Sequence, residues 1–485
     1  MISSFIEKYK KIPLPLKASF WFIFCRVVQK GIAFISTPIF TRIMTSEEFG
    51  TVSTFYSWEG ILTVFLTLQL ASGVYNKAMI KYEDSRDKYT SAMLFFTSIL
   101  TIGFFIIYLL GHDFFNKLFK LDTLLVTLIF VQVFFTSAFS FWSIRHRFEY
   151  EYRNVVAVTI ATNLIGTILS VILLTRHPEN RVLYRILGQI ITIVVVYTIL
   201  FIVIMRKGKT VVNRDYWSYS VKYNLPLIPH YLSQQVLGQS DRIMINNMCG
   251  ASQTAYYSVA YQLSMVLNIL TSAIDYSFSP WAYRKIKEEN YKPIGKIVLL
   301  ISTALAGLCF LFSLLAPEVV YILGGEEYYA AVWVIPPVCM SVLFIMMYSL
   351  VSTITFYFEK TKLVMIVSCF VAGLNLLLNF IFINIYGFVA AGYTTLVCYI
   401  IYFMIHYRVM IKTCKEQGFM CPFNTKLIVL LGVTSVTLSL LCNFLYPHTI
   451  LRYTIIFFII ILSIVLLVKN KNSIMESDFI KSIKK

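Results

Sequence analysis

Arg26 and Lys30, one helical turn apart inside an apolar run and with Gln29 beside them, are the sharpest chemical signal in this sequence. Spaced i, i+3 and i+4, the three share one face of a helix. Arginine brings a bidentate fork and lysine a point charge, which together suit a phosphate or diphosphate. The plainer alternative is an internal salt bridge, Lys30 with Glu59 or Asp275. Glu59, His230 and Asp275 are the embedded groups expected to take up a proton near neutral pH. The two carboxylates suit coupling or gating, and His230 serves equally well as a satisfied structural residue. Arg42 and the Asp241-Arg242 pair stand where two helices are expected to end. A reversible outer gate is one reading, with Arg242 a further anion ligand; interfacial snorkelling is the other. Tyr56, Trp58, Tyr257 and Tyr261 offer flat faces for sugar rings, although an interfacial aromatic belt also explains rings near helix ends.

The elements that position these residues follow from composition. A chain of 485 residues that is 58% hydrophobic and 14% charged, with mean hydropathy +0.73, is too apolar for a soluble domain. Apolar runs long enough to cross ~30 Å of hydrocarbon fall at about 18–41, 51–76, 91–111, 123–144, 155–175, 186–205, 223–240, 253–280, 297–316, 330–358, 363–386, 387–407, 427–446 and 449–468. They are continuous, unlike the alternating segments of a membrane barrel, so the expected fold is all-α and polytopic with about fourteen transmembrane helices. The net charge of +18 reflects topology and not nucleic acid. With the N-terminus inside, 32 of the 42 Lys and Arg fall on inner loops and tails and 8 on the outer side, which places both termini in the cytoplasm. The lysine-rich first 17 residues, followed by a run long enough to span, do not read as a cleavable signal peptide. Nine cysteines without ligand spacing read as small packing residues, and neither a metal nor a cofactor is expected.

The long inner connection from Arg206 to Lys222 divides the chain into an N-terminal lobe (1–214, helices 1 to 6) and a C-terminal lobe (215–415, helices 7 to 12). Residues 416–485 add two helices and a tail. The two six-helix lobes read as a pseudo-symmetric duplication: Thr41-Arg42-Ile43-Met44 is echoed by Asp241-Arg242-Ile243-Met244, and the embedded charges fall in the first two helices of each lobe. Such charges cost ~2.5–3.5 kcal/mol each at the bilayer centre, so they are expected to line a wet cavity between the lobes. Pro38, Pro226, Pro229, Pro280, Pro336 and Pro337 sit within or at the ends of helices, where a bundle can bend.

On these residues the chain resembles the Wzx-type polysaccharide flippases of the MOP (multidrug, oligosaccharidyl-lipid, polysaccharide) exporter superfamily. The similarity rests on Lys30-Gly31, Pro38 with Thr41-Arg42, Glu47-Glu48-Phe49-Gly50, and above all Leu225-Pro226-Leu227-Ile228-Pro229-His230 followed by Asp241-Arg242. Further on it rests on Glu359-Lys360-Thr361-Lys362, Asn375, Asn379, and Gly387 with Ala390-Ala391-Gly392. Ala255 before Tyr256 departs from the glycine usual there. The resemblance implies alternating access in the bacterial cytoplasmic membrane, with an undecaprenyl-diphosphate-linked oligosaccharide moved to the outer leaflet. It also implies antiport of a proton or sodium ion, contact with membrane lipids, and the company of other polysaccharide-assembly membrane proteins in an O-antigen, capsule or exopolysaccharide pathway. Two rivals stand beside this. A multidrug or toxin extruder of the same superfamily would be expected to want embedded acids for organic cations. A membrane enzyme of glycan assembly would be expected to carry catalytic residues in a large outer loop, and the outer loops here are short.

Overall fold

The computed structural model describes residues 13–469, and among them every regular element is helical. Among the described residues, eleven helices are long and apolar enough to cross a membrane. Two of the remaining expected spans, Ser46–Thr67 and Ile228–Met248, have the length at 22 and 21 residues but carry more polar side chains. The last, Thr449–Lys469, is apolar over its first turns, and the eleven spans by themselves make this a multi-pass membrane protein. Lys8, Lys10 and Lys11, and Lys471, Lys481, Lys484 and Lys485, which contribute to the inner charge count, lie outside the described residues. Packing divides the chain into two compact units, Met1–Thr254 and Ala255–Lys485.

The first unit opens with α1 (Leu14–Ile43), which has Pro15 in its first turn and Pro38 inside. α2 (Ser46–Thr67) begins at a capping box: the Glu48 amide donates to Thr45 Oγ1 at 3.2 Å, and the Thr45 amide donates to the Glu48 carboxylate at 2.8 Å. Its other end corrects the continuous span expected over 51–76. Leu68 and Gln69 turn left-handed at φ 46° and 50°, Gly73 follows at 32°, and the chain restarts as α3 (Val74–Lys81). A side chain at Gly73 would meet Tyr231 Oη at 2.6 Å, so glycine is required there. Asn224 Nδ2 donates to the Leu68 carbonyl at 2.5 Å and satisfies one group freed by the break.

α4 (Arg86–Leu110), α5 (His112–Phe119), α6 (Thr123–Phe148), α7 (Tyr152–Arg176), α8 (Arg181–Gly208), α9 (Arg214–Asn224) and α10 (Ile228–Met248) complete the unit. An aromatic core of Tyr75, Tyr89, Phe141 and Trp142 fills it. Tyr75 and Thr90 share a hydroxyl hydrogen bond of 2.6 Å, as do Tyr89 and Ser220, so α3, α4 and α9 are fastened together. α10 packs along α2, with Gly60 of α2 facing Gln235 and Gln239.

The seventh span does not end at Asp241-Arg242 as expected. Ile243 and Ile245 are buried and carry the helix on to Met248, and the turn comes instead at Gly250, whose φ of 102° suits glycine. Asp241 and Arg242 therefore lie well inside α10, 2% and 6% exposed, whereas Arg42 is exposed in the last turn of α1. The two sites match in sequence but not in position along their helices.

The second unit contains most of α11 (Ala251–Lys287, with Pro280 inside), then α12 (Lys292–Leu314), α13 (Ala316–Gly324), α14 (Ile335–Tyr357), α15 (Thr361–Tyr386), α16 (Val389–Glu416), α17 (Thr425–Leu445) and α18 (Thr449–Lys469). α14 is the central post, buried along most of its length against α12, α16 and α17. Pro336 and Pro337 occupy its first turn, where a missing N–H costs no helical bond. Fully buried Asn375 and Asn379 of α15 bond to Thr395 and Thr394 of α16. Arg452 of α18, 3% exposed, donates to the Glu318 carboxylate at 3.0 Å and to the Leu314 carbonyl at 3.0 Å, and so anchors the last helix.

Candidate functional site

In the first unit the structure brings Lys30 of α1 within electrostatic reach of Arg26 on its own helix and of Arg242 on α10. Arg26 and Lys30 stand on the surface of the described chain. Arg242 is buried and held in place, its guanidinium donating to the Gly238 carbonyl and to Gln239 Oε1, each at 3.0 Å. Cations within electrostatic reach of one another make a positive field that suits an anion with more than one charge.

Glu59, half-buried on α2, accepts a hydrogen bond from the side chain of Gln132 on α6. One turn earlier, the Tyr56 hydroxyl bonds with the Arg185 guanidinium of α8, which also lies 3.8 Å over the Phe40 ring. Arg185, one of the eight basic residues counted on the outer side, thus bridges α8 to α1 and α2. Trp58 is tied elsewhere: its indole N–H donates to the Phe119 carbonyl at 3.1 Å and its ring lies 4.5 Å from that of Phe119. Arg42 folds back on the Pro38 carbonyl at 2.9 Å. His230, in the first turn of α10, has a buried Nδ1 with no hydrogen-bond partner.

In the second unit, Asp275 of α11 accepts a hydrogen bond from Ser349 of α14, while its Oδ1 is buried without one. Tyr257 is fully buried and stacks on Tyr261 with ring centres 6.0 Å apart. The candidates thus form three groups: the cations with Arg242, the Glu59 and Tyr56 neighbourhood on α2, and the α11 residues.

To the three embedded ionisable groups that the sequence pointed to, the structure adds a buried histidine. His406 is completely buried, both ring nitrogens lack partners, and Tyr348 and Tyr402 flank it at 4.5 and 4.6 Å. It lies one residue inside the expected end of the 387–407 span and was not among the sequence candidates. Gln132 and Arg185 were missed as well. Arg185 follows Arg181 by four residues, a helical spacing that puts both on one face and was the available clue.

Comparison with known proteins follows the same lines. The family described as polysaccharide biosynthesis protein matches residues 16–281, more than half of the chain, and the MatE family matches residues 226–381. A protein of the Lsg locus of Haemophilus influenzae is 26% identical over 221 residues, covering 43% of this chain and 53% of that protein. The chain therefore spans about half the length of this curated relative. The solved structure of the lipid II flippase MurJ, in an inward closed conformation, has a TM-score of 0.69 at 14% identity and covers 95% of this chain and 100% of its own. An inward-facing multidrug resistance MATE family transporter of the MOP superfamily gives 0.60 at 12% identity over 82% of this chain and 96% of that one. At these identities the two structures establish a shared fold.

Proposed function

Because the chain belongs to the polysaccharide biosynthesis protein family and has the fold of MOP-superfamily transporters, we propose that it is a flippase for undecaprenyl-diphosphate-linked oligosaccharide. The repeat unit moves from the inner to the outer leaflet of a bacterial cytoplasmic membrane by alternating access. The carrying observation is the approach of Arg26, Lys30 and Arg242 within one unit. Arg242 is preorganised by its two bonds within α10, while Arg26 and Lys30 remain presentable to a ligand. A diphosphate neutralises all three, the polyprenyl tail stays in lipid, and the sugars need water and flat surfaces. Among the aromatic candidates, Tyr56 and Tyr261 suit sugar contact better than Trp58, which Phe119 holds, or Tyr257, which is fully buried. Glu59 and Asp275 carry the coupling, and both termini face the cytoplasm.

The experiment is display of surface glycan in cells that depend on this chain. Arg26→Ala and Lys30→Ala each abolish display while the protein still inserts; normal display in both variants removes the anion site. A charge-assisted hydrogen bond contributes about 1.5–3 kcal/mol, so each loss is expected to weaken lipid-linked substrate at least tenfold.

A second reading has a specific observation behind it, the MatE match over 226–381. An extruder of organic cations needs embedded carboxylates facing its cargo, and here the carboxylate of the first unit is turned to Gln132 while the cations face out. Export of a fluorescent organic cation that survives Arg26→Ala would favour the extruder.

A further inference from the structure

A cavity of about 120 Å³ runs inside the first unit between α2, α4 and α6, with Glu59 in its wall. α2 lines it with Glu59, Thr63 and Thr67, and α6 with Thr136, Ser137 and Ser140. These follow the helical spacing of four on each helix, beginning on α6 at Gln132, the partner of Glu59. The hydroxyls are directed in one way: Thr63 donates to the Glu59 carbonyl, Thr67 to that of Thr63, and Ser140 to that of Thr136, at 2.7, 2.7 and 3.0 Å. With their hydrogens engaged along the helix, their lone pairs remain free to accept from water. Thr136 Oγ1 and Gln132 Oε1 are buried with no hydrogen-bond partner, which polar atoms at such depth rarely tolerate unless water supplies one. A cavity needs about 10–15 Å³ to hold one water, so this one has room for several.

The cavity does not stop at α2. The break at Leu68 and Gln69 ends that helix early, and Ala71, Ser72 and Ile144 line both this cavity and a wider one of about 620 Å³. The wider space is bordered by Asn76, Arg147 and Tyr150, at the end that the Lys and Arg distribution assigns to the cytoplasm. From Glu59 to Thr67, and from Gln132 to Ile144, the path spans about 12–18 Å at 1.5 Å per residue.

We propose that this is a cytoplasmic proton path, a file of water that connects Glu59 to the inner aqueous phase within the first unit, separate from the cationic face that takes substrate. It deepens the coupling role given to Glu59 above and rests on that reading for its purpose. The ionisable groups facing Glu59 are Tyr56 on its own helix and, through Tyr56, Arg185 of α8. α6 contributes Gln132, α4 contributes Thr97 and α10 contributes Gln235 and Gln239 beside Gly60, none of them ionisable; Arg147 stands at the mouth.

Two measurements test this in the full-length protein. With the nine native cysteines replaced by alanine, single cysteines at Ser140, Thr136 and Thr63 should react with Ag⁺, a probe of about water size, applied to the cytoplasmic face of inside-out vesicles. Reaction at each should be at least tenfold faster than from the opposite face, and Phe65→Cys, exposed on the other side of α2, should stay unreactive. Reaction at Ser72→Cys with none at Thr136→Cys and Thr63→Cys overturns the proposal, as does equal reaction from both faces. In the second, infrared spectroscopy after a pH jump follows the carboxyl band that Glu59→Gln removes. Ser140→Ala, which deletes a hydroxyl without filling the space, and Thr136→Val should each slow that band's response at least tenfold. An unchanged rate, or a band that follows sodium and ignores pH, overturns it. Neither measurement uses transport or substrate, so both tell whether the path exists even in a chain that proves not to be a flippase.

Discussion

Gly50 marks the tightest approach between α2 and the turn that joins α10 to α11. A Cβ built at Gly50 falls 1.7 Å from the Ala251 carbonyl oxygen and 2.5 Å from its carbon, both backbone atoms that no rotamer change can move. To regain ordinary contact at 3.4 Å the two backbones must part by about 1.7 Å. Overpacking of this kind costs about 1–3 kcal/mol. The neighbouring contacts close the same end of the unit: Lys120 Nζ donates to the Asn247 carbonyl at 2.9 Å, and Arg181 pairs with Glu48 at 3.7 Å. If this end opens and shuts during transport, Gly50→Ala raises the shut state by that cost and shifts the balance about 5- to 150-fold toward the open one. Cys249, a free and half-buried thiol two residues from Ala251, is a native reporter. Alkylation by an impermeant maleimide added to intact cells is expected to accelerate by a comparable factor, while Gly238→Ala, where a Cβ meets nothing within 4 Å, leaves it unchanged. An unaltered labelling rate in Gly50→Ala, with an unaltered melting temperature, would refute a closed contact here.

Other perturbations have equally definite outcomes. Glu318→Ala strips Arg452 of its carboxylate partner in a 3%-exposed position. Leaving a buried charge uncompensated costs about 3–5 kcal/mol, and the melting temperature of the detergent-solubilised protein should drop sharply; a small change would mean that α18 is held by other contacts. Glu59→Gln and Asp275→Asn should each flatten the pH dependence of lipid-linked oligosaccharide flipping in proteoliposomes, and an unchanged profile would remove that residue as a proton carrier. Cys421, in the loop before α17, has its thiol pKa lowered by the Cys414 thiol beside it. The thiolate is the reactive form, so alkylation should rise with pH through a midpoint below that of an ordinary thiol and move to higher pH in Cys414→Ala. A midpoint that stays put would show that Cys414 is not the cause.

The helices were legible wherever apolar residues ran uninterrupted, because a bilayer leaves the backbone no alternative to internal hydrogen bonding. The ends were less so. Nothing in hydropathy distinguishes Thr67 from Leu68 as the last residue of a helix; the break depends on Asn224 and Tyr231 arriving from α9 and α10 to occupy the space at Leu68 and Gly73. Asp241-Arg242 read as a helix end because charge usually marks the membrane boundary. Arg242 is tolerated deeper because Gly238 and Gln239, one turn back, accept its hydrogen bonds. Spacing alone placed Arg26 and Lys30 on one face, but it could not bring Arg242 near them, since that depends on how α1 and α10 pack. His406 went unseen for a related reason: its burial comes from Tyr348, far away in sequence on α14, as much as from Tyr402 on its own helix.

The two expected spans that fall short of the apolarity of a membrane helix, α2 and α10, pack against each other. A helix that cannot satisfy lipid on every side must spend some faces on protein or water. α2 spends one on α10 and another on the hydroxyl-lined cavity with Glu59, while α10 spends one on α2 and holds Arg242 toward Lys30. Glu59 and Arg242 are therefore mounted on a single helix pair whose polarity does not suit an independent place in the bilayer, while Arg26 and Lys30 stand on α1. Any tilt of α10 against α2 moves Arg242 relative to Glu59, so if Glu59 takes up a proton and Arg242 meets an anion as proposed, the two events act on the same joint. A coupling free energy between two sites requires a shared element with two arrangements, and this pair supplies the element.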